Sequence, residues 1–356
     1  MNIFVSEYLC SGAWDLTDAE SGLLKEGTAM LEAVITDLLV LPHFRVMTIL
    51  QQTLSLKSPI IVEALRTGRL QIFRTATSQQ ERENFKTACR LADCVMVIAP
   101  EFEDLLSSRT QLALDCGATV AGSALKAIQL TADKWRLFEL MQESSIPTIP
   151  TWQFSGELPR SAVSFPCLIK HRFGAGGLGL ETFQNDDCLQ KRRNQLRSSE
   201  EQFLMQPLLP GKALSTVALI RAGGREIFPV GEQQISWKQG FRYQGGTIPA
   251  DVNVRVIPAI SDLLNRVCDL LPGLAGYVGF DILLPEDAPH EPVLVEINPR
   301  LTTSYTGYRR LTFDNLAARL IAPDTDFPDI KWKQGETIRF QPDGSSTLLP
   351  QSESRN

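Results

Sequence analysis

Short apolar runs alternate with helical patterns over roughly the first 120 residues. Five apolar runs occur in this order: NIFVSEY, RVMTIL, LQIFRT, CVMVIAP and ATVAGS. Between them lie helical patterns such as KEGTAMLEAVITDLLVL and SQQERENFKTACRLA. This alternation predicts βαβ units around a parallel sheet. Polar groups at the carboxyl ends of such strands tend to line a ligand crevice. We therefore predict an α/β domain with a doubly wound, Rossmann-like parallel sheet over residues 1–122.

The pattern changes after this region. The run LTADKWRLFELMQESSIPTIPTW predicts a helix that begins at Thr131 or Asp133 and ends in a proline-bearing connector. From about residue 152 to 320, longer hairpin-like strands accompany two helical runs, ISDLLNRVCDLLPGL and DNLAARLI. This is an α+β pattern. The residues from 326 to the end are more polar, and we expect them to form a frayed tail.

Composition limits the classes of partner. The chain has 356 residues, 43% of them hydrophobic, which is enough for two or three packed units. Its formal charge of -6 argues against nucleic acid as the main partner and favours small molecules. Seven cysteines without a C-x-x-C pair fit neither a disulfide framework nor a zinc site. No run of about 18 apolar residues occurs, so we expect no membrane span and take the cytoplasm as the default compartment.

Two apolar runs near residue 290 bring acidic residues together. GYVGFDILL and PVLVEINPR are joined by a turn-rich connector of eight residues from Pro285 to Pro292. If they form an antiparallel hairpin with Leu284 opposite Val293, Asp281 lies opposite Glu296. Directly opposed residues share a face of the sheet, with Cβ atoms about 4.5–5.5 Å apart. Two carboxylates this close repel each other unless one is protonated or a cation lies between them.

The next polar residues extend the same face. Side chains alternate along a strand, so Glu296, Asn298 and Arg300 share one face. Carboxylate and amide oxygens suit Mg²⁺ or Mn²⁺, and Mg²⁺ commonly binds together with phosphate oxygens. We therefore predict a metal site that holds a nucleotide. The alternative is a surface hairpin whose acidic side chains only face water.

A glycine-rich loop offers a phosphate site. The run FPCLIKHRFGAGGLGLETF places Lys170 at the end of an apolar strand, before Gly174, Gly176, Gly177 and Gly179. Glycine lets a backbone approach phosphates closely. GAGGLG matches G-x-G-x-x-G, but the following LGLETF looks extended, whereas a dinucleotide site needs a helix there. We predict a hairpin flap; the alternative is a glycine-rich turn without a ligand.

Two further segments carry weaker signals. Lys134, in TADKWRLFEL, taken alone resembles a solvated helix residue. In EEQFLMQPLLPGKALSTVAL, an apolar strand is interrupted at Gln206 and Pro207 and then bends. Such a bend suits an adenine ring, although ordinary edge strands look similar.

Four motifs in this order resemble the ATP-grasp carboxylate-amine ligases: TADKWRLFELMQESSIPTIPT, PCLIKHRFGAGGLG, FLMQPLLPG, and GFDILL followed by VLVEINPR. The likeness covers roughly residues 123–310. SEYLCSGAW, LLKEGTAMLEAVITDL, YQGGTIP and EINPRLTTSYTGY further resemble the tyramine–L-glutamate ligase family of methanofuran biosynthesis. The resemblance implies an ATP-grasp fold of two α+β subdomains, residues 123–205 with the flap and 206–325 with the metal site. Residues 1–122 would be the pre-ATP-grasp domain and 326–356 the polar tail.

The resemblance also implies roles for individual residues. Those expected to bind ATP are Lys134, Lys170, Gly174, Ala175, Gly176, Gly177, Gln206, Pro207, Leu208 and Leu209. The expected ligands of Mg²⁺ or Mn²⁺ are Asp281, Glu296 and Asn298. Arg300 and Lys170 would act on the transferred phosphoryl group. One departure concerns the ribose: after the Pro-Gly, where many relatives have an acidic residue, this chain has Lys212 and Ala213, so Ser215 is one candidate for that role.

The implied activity is ATP-dependent amide formation. ATP would phosphorylate a substrate carboxylate, and an amine would then attack the acyl phosphate with release of ADP and phosphate. In family terms the acid is glutamate and the amine is tyramine or a similar amine, in a methanofuran-type cofactor pathway. Two alternatives remain: an ATP-grasp ligase of another amino acid or of glutamate-adding type, and a non-catalytic nucleotide-binding protein. The sequence does not determine the oligomeric state, and a homodimer is compatible with it.

Substrate residues are predicted from their position in the chain. Glu7, at the end of the first strand, and Glu26, at the start of a helix, are candidates for a substrate ammonium group. Each is equally explained as a helix N-terminal acid or a solvated carboxylate. Candidates for the walls of the acid and amine pockets are Arg242, Tyr243, Gly245, Gly246, Thr302, Thr303 and Ser304. The three histidines are scattered, so we assign no catalytic base.

Overall fold

The computed structural model describes residues 1–14, 21–154, 164–196, 202–237, 240–322 and 327–350. Its α-helices are α1 Ser21–Val40, α2 Pro59–Arg66, α3 Ser78–Leu91, α4 Leu105–Asp115, α5 Leu125–Ala132, α6 Lys134–Glu143, α7 Asp186–Leu196, α8 Val256–Leu270, α9 Tyr305–Tyr308 and α10 Leu316–Ile321. Its strands are β1 Asn2–Glu7, β2 Arg45–Gln51, β3 Leu70–Thr75, β4 Cys94–Ile98, β5 Trp152–Gln153, β6 Cys167–His171, β7 Glu181–Phe183, β8 Phe203–Pro207, β9 Gly211–Arg221, β10 Gly224–Ile227, β11 Gly231–Ser236, β12 Arg242–Ile248, β13 Gly276–Pro285, β14 Val293–Asn298, β15 Thr337–Phe340 and β16 Ser346–Leu349.

The N-terminal residues form the predicted parallel sheet. Its strand order is β3-β2-β1-β4, and all of its pairs are parallel. The fifth apolar run contributes a single parallel bridge between Val120 and Val95 rather than a full strand. Helix α2 was not among the helical patterns predicted from the sequence. Within the described ranges, no helix combines the length and apolarity needed to cross a lipid bilayer.

The predicted helix start at Asp133 is confirmed, and the alternative start at Thr131 is wrong. Thr131 belongs to the last turn of α5, and Asp133 begins α6 as its N-cap. The Asp133 carboxylate accepts hydrogen bonds from the backbone N–H groups of Trp135 and Arg136, both at 3.2 Å. An aspartate at this position satisfies donors that the first helical turn leaves free. Lys134 is therefore the first residue of a capped helix.

A small antiparallel sheet carries the glycine-rich loop. Its order is β5-β8-β6-β7, and β6 pairs antiparallel with β7 from Cys167 opposite Phe183 to Ile169 opposite Glu181. The glycines therefore connect two strands of a hairpin. This confirms the extended conformation expected after the loop and rules out the strand-glycine-helix arrangement of a dinucleotide site.

The large sheet follows the order β14-β13-β9-β11-β12-β15-β16, with β10 paired to β9. Helix α8 covers one face of this sheet with an apolar stripe. Strands β15 and β16 come from the segment predicted to be a polar tail. That prediction is wrong for residues 337–349, because alternate side chains of β15, Ile338 and Phe340, are buried in the core and hold its register. Residues 351–356 lie outside the described part of the chain.

The N-terminal parallel sheet and the large sheet share one apolar core. A single apolar cluster contains Ile3 and Leu31 of the N-terminal layer together with Tyr305 and Phe340 of the C-terminal part. A polar contact also joins these layers at Asp37 of α1. The guanidinium of Arg309 forks onto the Asp37 carboxylate, and the Tyr305 hydroxyl donates to it at 2.6 Å. The N-terminal layer is thus fixed against the part of the chain that carries the acidic hairpin.

Replacing Asp37 with Asn is expected to lower the free energy of unfolding by about 2 kcal/mol, since Arg309 and Tyr305 lose a charged acceptor. The loss should fall below that of a fully buried pair, because the Arg309 side chain keeps 27% exposure. Urea unfolding measures this change. The matched control is Glu63→Gln, whose partner Arg66 is 75% exposed and whose loss should leave unfolding unchanged. Equal effects of the two changes would contradict a structural role of Asp37.

Candidate active site

A cavity of roughly 970 Å³ lies where the glycine-rich loop, the ends of β6 and β8, the large sheet and the start of α1 meet. Most of the residues predicted to form a site line it. The predicted residues in its wall are Glu26, Lys134, Lys170, Gly174, Ala175, Gly176, Gly177, Gln206, Pro207, Leu208, Leu209, Tyr243, Asp281, Glu296, Asn298, Arg300, Thr302, Thr303 and Ser304. Segments separated by more than 250 residues in sequence thus converge on one space.

The hairpin of β13 and β14 places Asp281 opposite Glu296, as predicted. The neighbouring register was predicted incorrectly: Val293 lies opposite Leu283 rather than Leu284, because the pairing shifts between Asp281 and Ile282. A bulge that adds one residue to a strand produces such a shift. Val295, the extra residue of β14, lines the cavity together with Glu296. The bulge lies beside the acidic pair and sets its geometry.

Two side-chain amides hold Asp281. Gln233 of β11 donates through Nε2 to Oδ1 at 2.8 Å, and Asn298 donates through Nδ2 to Oδ2 at 3.1 Å. Burial, followed by the negative charge of Glu296, raises the pKa of Asp281 to about 7. Gln233 was missed from the sequence, because an amide in GEQQIS carries no local signal of a partner on another strand.

Lys134 neutralises the other carboxylate. Its Nζ lies 2.9 Å from Glu296 Oε1 and also donates to the carbonyl oxygen of Gly174 in the loop. Burial alone would raise the pKa of Glu296, but the ammonium groups of Lys134 and Lys170 more than offset it, and the pKa is lowered. The structure therefore removes the reading of Lys134 as a solvated helix residue: only 9% of this residue is exposed.

Lys170 completes a group of opposite charges. Burial, with the nearby Lys134 charge, lowers its pKa to about 8, although Glu296 and Asp281 act in the other direction. Two ammonium groups and two carboxylates thus line the same cavity. Anionic phosphates would be stabilised beside the two lysines, where a point charge suits phosphate oxygens.

The donor set fits Mg²⁺ or Mn²⁺. Asp281, Glu296 and Asn298 present oxygen atoms, and a divalent cation would relieve the repulsion that raises the Asp281 pKa. In the described parts of the chain, no group of three or more His, Cys, Asp or Glu side chains is placed to hold a metal ion. Mg²⁺ usually takes one or two carboxylates and completes its shell with phosphate oxygens and water, which fits the two carboxylates of this hairpin. Its metal role remains a prediction.

Arg300 is held by the N-terminal domain. Its Nε and Nη2 donate to the two carboxylate oxygens of Glu101, each at 2.9 Å, and its Nη1 donates to the carbonyl oxygen of Leu301 at 3.2 Å. Burial would lower the pKa of Arg300, and Glu101 more than offsets it. Glu101 follows β4 at the carboxyl edge of the parallel sheet, where a ligand crevice was expected. It was nevertheless missed, because no motif marks it.

The glycine-rich loop lies closed over the cavity. Ala175 is 5% exposed. A Cβ atom on Gly177 would come within 2.1 Å of the Phe241 ring, and one on Gly176 within 2.9 Å of the Leu23 side chain. Both glycines also have positive φ, 71° and 63°, which other residues rarely adopt. These positions therefore need glycine for close contact as well as for backbone shape.

The predicted adenine segment forms one end of the cavity. Gln206 is 7% exposed, and its Nε2 donates to the Thr151 hydroxyl at 2.8 Å. The backbone N–H of Leu208 donates to the carbonyl of Pro166 at 2.8 Å. The segment is thus held against the small sheet while its apolar side chains face the cavity. Ser215, the candidate for ribose binding, also lines the wall.

Glu26 reaches the cavity wall from α1 of the N-terminal domain. The Thr303 hydroxyl donates to its carboxylate at 2.9 Å, and burial raises its pKa. Thr302 and Ser304 form a hydroxyl group cluster with Tyr277, at 3.2 and 3.1 Å from its phenolic oxygen. Burial also raises the pKa of Tyr243. The part of the cavity wall around Glu26 and Thr303 therefore combines one carboxylate with several hydroxyl groups.

Four predicted substrate residues do not line the cavity. Glu7 is 2% exposed beneath α1 and accepts a hydrogen bond from the Cys10 N–H at 2.7 Å. Arg242 is exposed at the start of β12. Gly245 and Gly246 allow β12 to approach its neighbours, because added Cβ atoms would lie 2.0 Å from the Phe340 carbonyl oxygen and 2.6 Å from the Glu232 carbonyl oxygen. Strand packing accounts for these two glycines.

Comparison with known proteins identifies the architecture. Residues 131–304 match the ATP-grasp domain family, and residues 61–128 match the pre ATP-grasp 3 domain family. The chain is similar to an ATP-grasp superfamily protein from Archaeoglobus fulgidus, with a TM-score of 0.67, 21% identity, and coverage of 95% of this chain and 92% of that one. For biotin carboxylase from Campylobacter jejuni in complex with β,γ-ATP, the TM-score is 0.71 at 13% identity, with 95% and 74% covered. The chain thus has an ATP-grasp fold behind an N-terminal domain.

Two curated relatives have the same name. Tyramine–L-glutamate ligase from Methanocaldococcus jannaschii is 25% identical over 242 residues, which is 68% of this chain and 65% of the relative. The enzyme of that name from Methanocaldococcus fervens is 26% identical over 231 residues, 64% of this chain and 65% of the relative. The match therefore spans a little under two thirds of each curated relative. These findings relate residues 131–304 of this chain to the ATP-grasp domain family, and the activity in the shared name is that of the relatives.

Glu7 should make stability depend on pH. Burial raises its pKa from 4.5 to about 7, so the folded protein holds a proton that the unfolded chain releases near pH 4.5. Stability from this group is full below about pH 4.5 and is lost as the pH rises through about 7. Relative to wild type, Glu7→Gln should gain about 2 to 3 kcal/mol in unfolding free energy between about pH 5 and about pH 8.

Urea unfolding of both proteins at the two pH values measures this difference. Gln can still accept the hydrogen bond from the Cys10 N–H, so the variant isolates the charge. A constant difference between the two proteins would show that Glu7 keeps an ordinary pKa in the folded state.

Proposed function

We propose that this ATP-grasp protein is an ADP-forming ligase that joins a carboxylate to an amine. One observation carries the proposal: the facing carboxylates of Asp281 and Glu296 share one cavity with the ammonium groups of Lys134 and Lys170 beneath a closed glycine loop. That combination suits a nucleoside triphosphate bound with a divalent cation. The named relatives support glutamate as the acid and tyramine or a similar amine as the second substrate.

In this proposal, the chain contributes charge and position rather than a covalent intermediate. Phosphoryl transfer depends chiefly on alignment and on neutralising charge. Lys134 and Lys170 would bind phosphate oxygens, and Asp281, Glu296 and Asn298 would hold Mg²⁺ or Mn²⁺. The bound cation would neutralise phosphate charge. Arg300, oriented by the fork to Glu101, would present its remaining edge to the substrate.

The closed loop has a chemical purpose in such a reaction. Transfer of the γ-phosphoryl group of ATP to the substrate carboxylate gives ADP and an acyl phosphate, which water hydrolyses. The amine attacks the acyl carbon, the amide forms and phosphate leaves. Because Ala175 is buried and glycine at 177 lets the loop lie close to the Phe241 ring, the loop would limit the access of water on this side of the cavity.

Glu26 is proposed to bind a substrate ammonium group, which belongs either to the amino acid or to the amine. Glu26 lies in the cavity wall and accepts a hydrogen bond from the Thr303 hydroxyl. Burial raises the pKa of Glu26 and so disfavours its ionised form. A cation bound beside the carboxylate makes that ionised form more favourable. The position of Glu26 thus favours a substrate with a protonated amine.

The proposal is tested by incubating the purified protein with Mg-ATP, glutamate and a panel of amines. We expect ADP release that depends on both the acid and an amine, together with an amide product detected by mass spectrometry. Aryl amines should be preferred. ADP release with another amino acid in place of glutamate would indicate a different ATP-grasp ligase. Nucleotide binding without any product would indicate a non-catalytic protein.

Asp281→Asn should abolish amide formation, because it removes a charge from the predicted metal site; a decrease of at least about 100-fold is expected. The matched control is Asp269→Asn, since Asp269 is 66% exposed and does not line the cavity. Coupled assay of ADP release measures both variants. An Asp281→Asn rate equal to that of the control would remove the metal site from the mechanism.

Glu26→Gln should raise the KM of the substrate whose ammonium group it binds, the acid or the amine. The expected increase is about 10- to 100-fold, because one charged hydrogen bond is lost. The KM of ATP should change little, because Glu26 is hydrogen-bonded to Thr303, whereas Gln206 of the predicted adenine segment is hydrogen-bonded to Thr151. Steady-state kinetics with each substrate varied in turn provide the measurement. An unchanged KM for the acid and for the amine would exclude Glu26 from substrate binding.

A further inference from the structure

The entry to the glycine loop is tied to the start of α6 by a forked ion pair. Arg172 follows β6 directly and precedes the loop. Its Nε donates to Asp133 Oδ1 at 2.7 Å, and its Nη2 donates to Asp133 Oδ2 at 2.6 Å. Such parallel bonds fix the relative orientation of both groups as well as their distance. The Asp133 side chain is 8% exposed and that of Arg172 is 22% exposed, so water competes weakly for this contact.

Two further contacts join the same segments. The backbone N–H of Lys134 donates to the carbonyl oxygen of Arg172 at 3.1 Å. The Lys134 ammonium group donates to the carbonyl oxygen of Gly174, and the same ammonium lies 2.9 Å from Glu296. Asp133, the N-cap of α6, and Lys134, its first residue, therefore hold the segment that leads into the loop. They contact its first residue, Arg172, and its third, Gly174.

Asp133 also fixes the helix that carries Lys134. Besides binding Arg172, it accepts hydrogen bonds from the N–H groups of Trp135 and Arg136 as the N-cap. Burial would raise its pKa, but Arg172 and these backbone donors more than offset it and hold the pKa below the ordinary value. One carboxylate thus orients the first turn of α6 and the strand end that leads into the loop.

We propose that Asp133 and Arg172 are positioning residues that couple closure of the glycine loop to the placement of Lys134. Arg172 is the fixed end, and the loop can move only beyond it, from Phe173 onward. When the loop closes, the Gly174 carbonyl meets the Lys134 ammonium, which is already directed at Glu296. The ligand concerned is the nucleoside triphosphate or diphosphate of the proposed function, on which this inference rests.

The chain contains a matched control at the other end of the loop. Glu181, the first residue of β7, is forked by Arg192 of α7 with distances from 2.6 to 3.0 Å. This pair belongs to the same small sheet but neither residue lines the cavity. Its side chains are 37% and 31% exposed. Removing it loosens the loop exit without disturbing the contacts of either lysine.

The experiment compares five full-length variants: Arg172→Met, Arg172→Lys, Asp133→Asn, the double variant of Arg172→Met with Asp133→Asn, and the control Arg192→Met. Asn remains a good N-cap, so Asp133→Asn removes the ion pair while α6 stays capped. Calorimetric titration with Mg-ADP measures affinity, and hydrogen exchange of residues 174–180 measures loop closure. Arg172→Met and Asp133→Asn should each weaken binding about tenfold and speed exchange in the loop. The double variant should resemble the singles, because they remove one shared interaction.

The control should bind Mg-ADP within about twofold of wild type. Arg172→Lys keeps the charge but not the fork, and should fall between wild type and Arg172→Met. Unchanged affinity in Arg172→Met would overturn the proposal, as would an equal loss in Arg192→Met, which would indicate general loosening of the small sheet. If the wild-type protein binds Mg-ADP normally but forms no amide, the proposed reaction alone is overturned. The titrations then still decide whether Asp133 and Arg172 couple loop closure to Lys134.

Discussion

The repulsion between two half-buried carboxylates governs the charge arrangement of the cavity. Asp281 and Glu296 face each other across β13 and β14, and the fold offsets their charge differently on each side. Amides of Gln233 and Asn298 hold Asp281, whereas the ammonium of Lys134 pairs with Glu296. The first carboxylate accordingly titrates near neutrality and the second remains ionised. A site balanced in this way gains stability when a divalent cation and phosphates arrive together.

The remainder of the cavity can be understood as support for that charge arrangement. Lys134 reaches Glu296 because Asp133 caps and orients the helix that begins with it. Arg300 is oriented by Glu101, so the N-terminal layer contributes to the site although its own sheet lies behind it. The shared apolar core and the Asp37 contact keep these layers in register. Displacement of either layer would therefore change the orientation of Arg300, which Glu101 holds across the two layers.

Several features of the fold and site follow from the sequence, because they depend on local rules. Strand and helix alternation predicted the parallel sheet, and the extended LGLETF predicted a hairpin around the glycine loop. The two-residue period placed Glu296 and Asn298 on one face. Asp281 opposite Glu296 was also predicted, although the assumed pairing of Leu284 with Val293 was wrong. A bulge changes register without any marked sequence signal, since the extra residue is an ordinary valine.

Other features were decided by tertiary structure alone. Glu101 and Arg300 are separated by 199 residues, and no periodicity relates residues of different domains. Gly245 and Gly246 resembled pocket residues, but the approach of β15 assigns them to packing, and the same strand converts an apparently polar tail into part of the sheet. The sequence by itself determined which chemical groups are present and how neighbouring groups alternate. The packing of distant segments decided which of those groups meet, because side-chain contact depends on how whole elements bury their apolar faces.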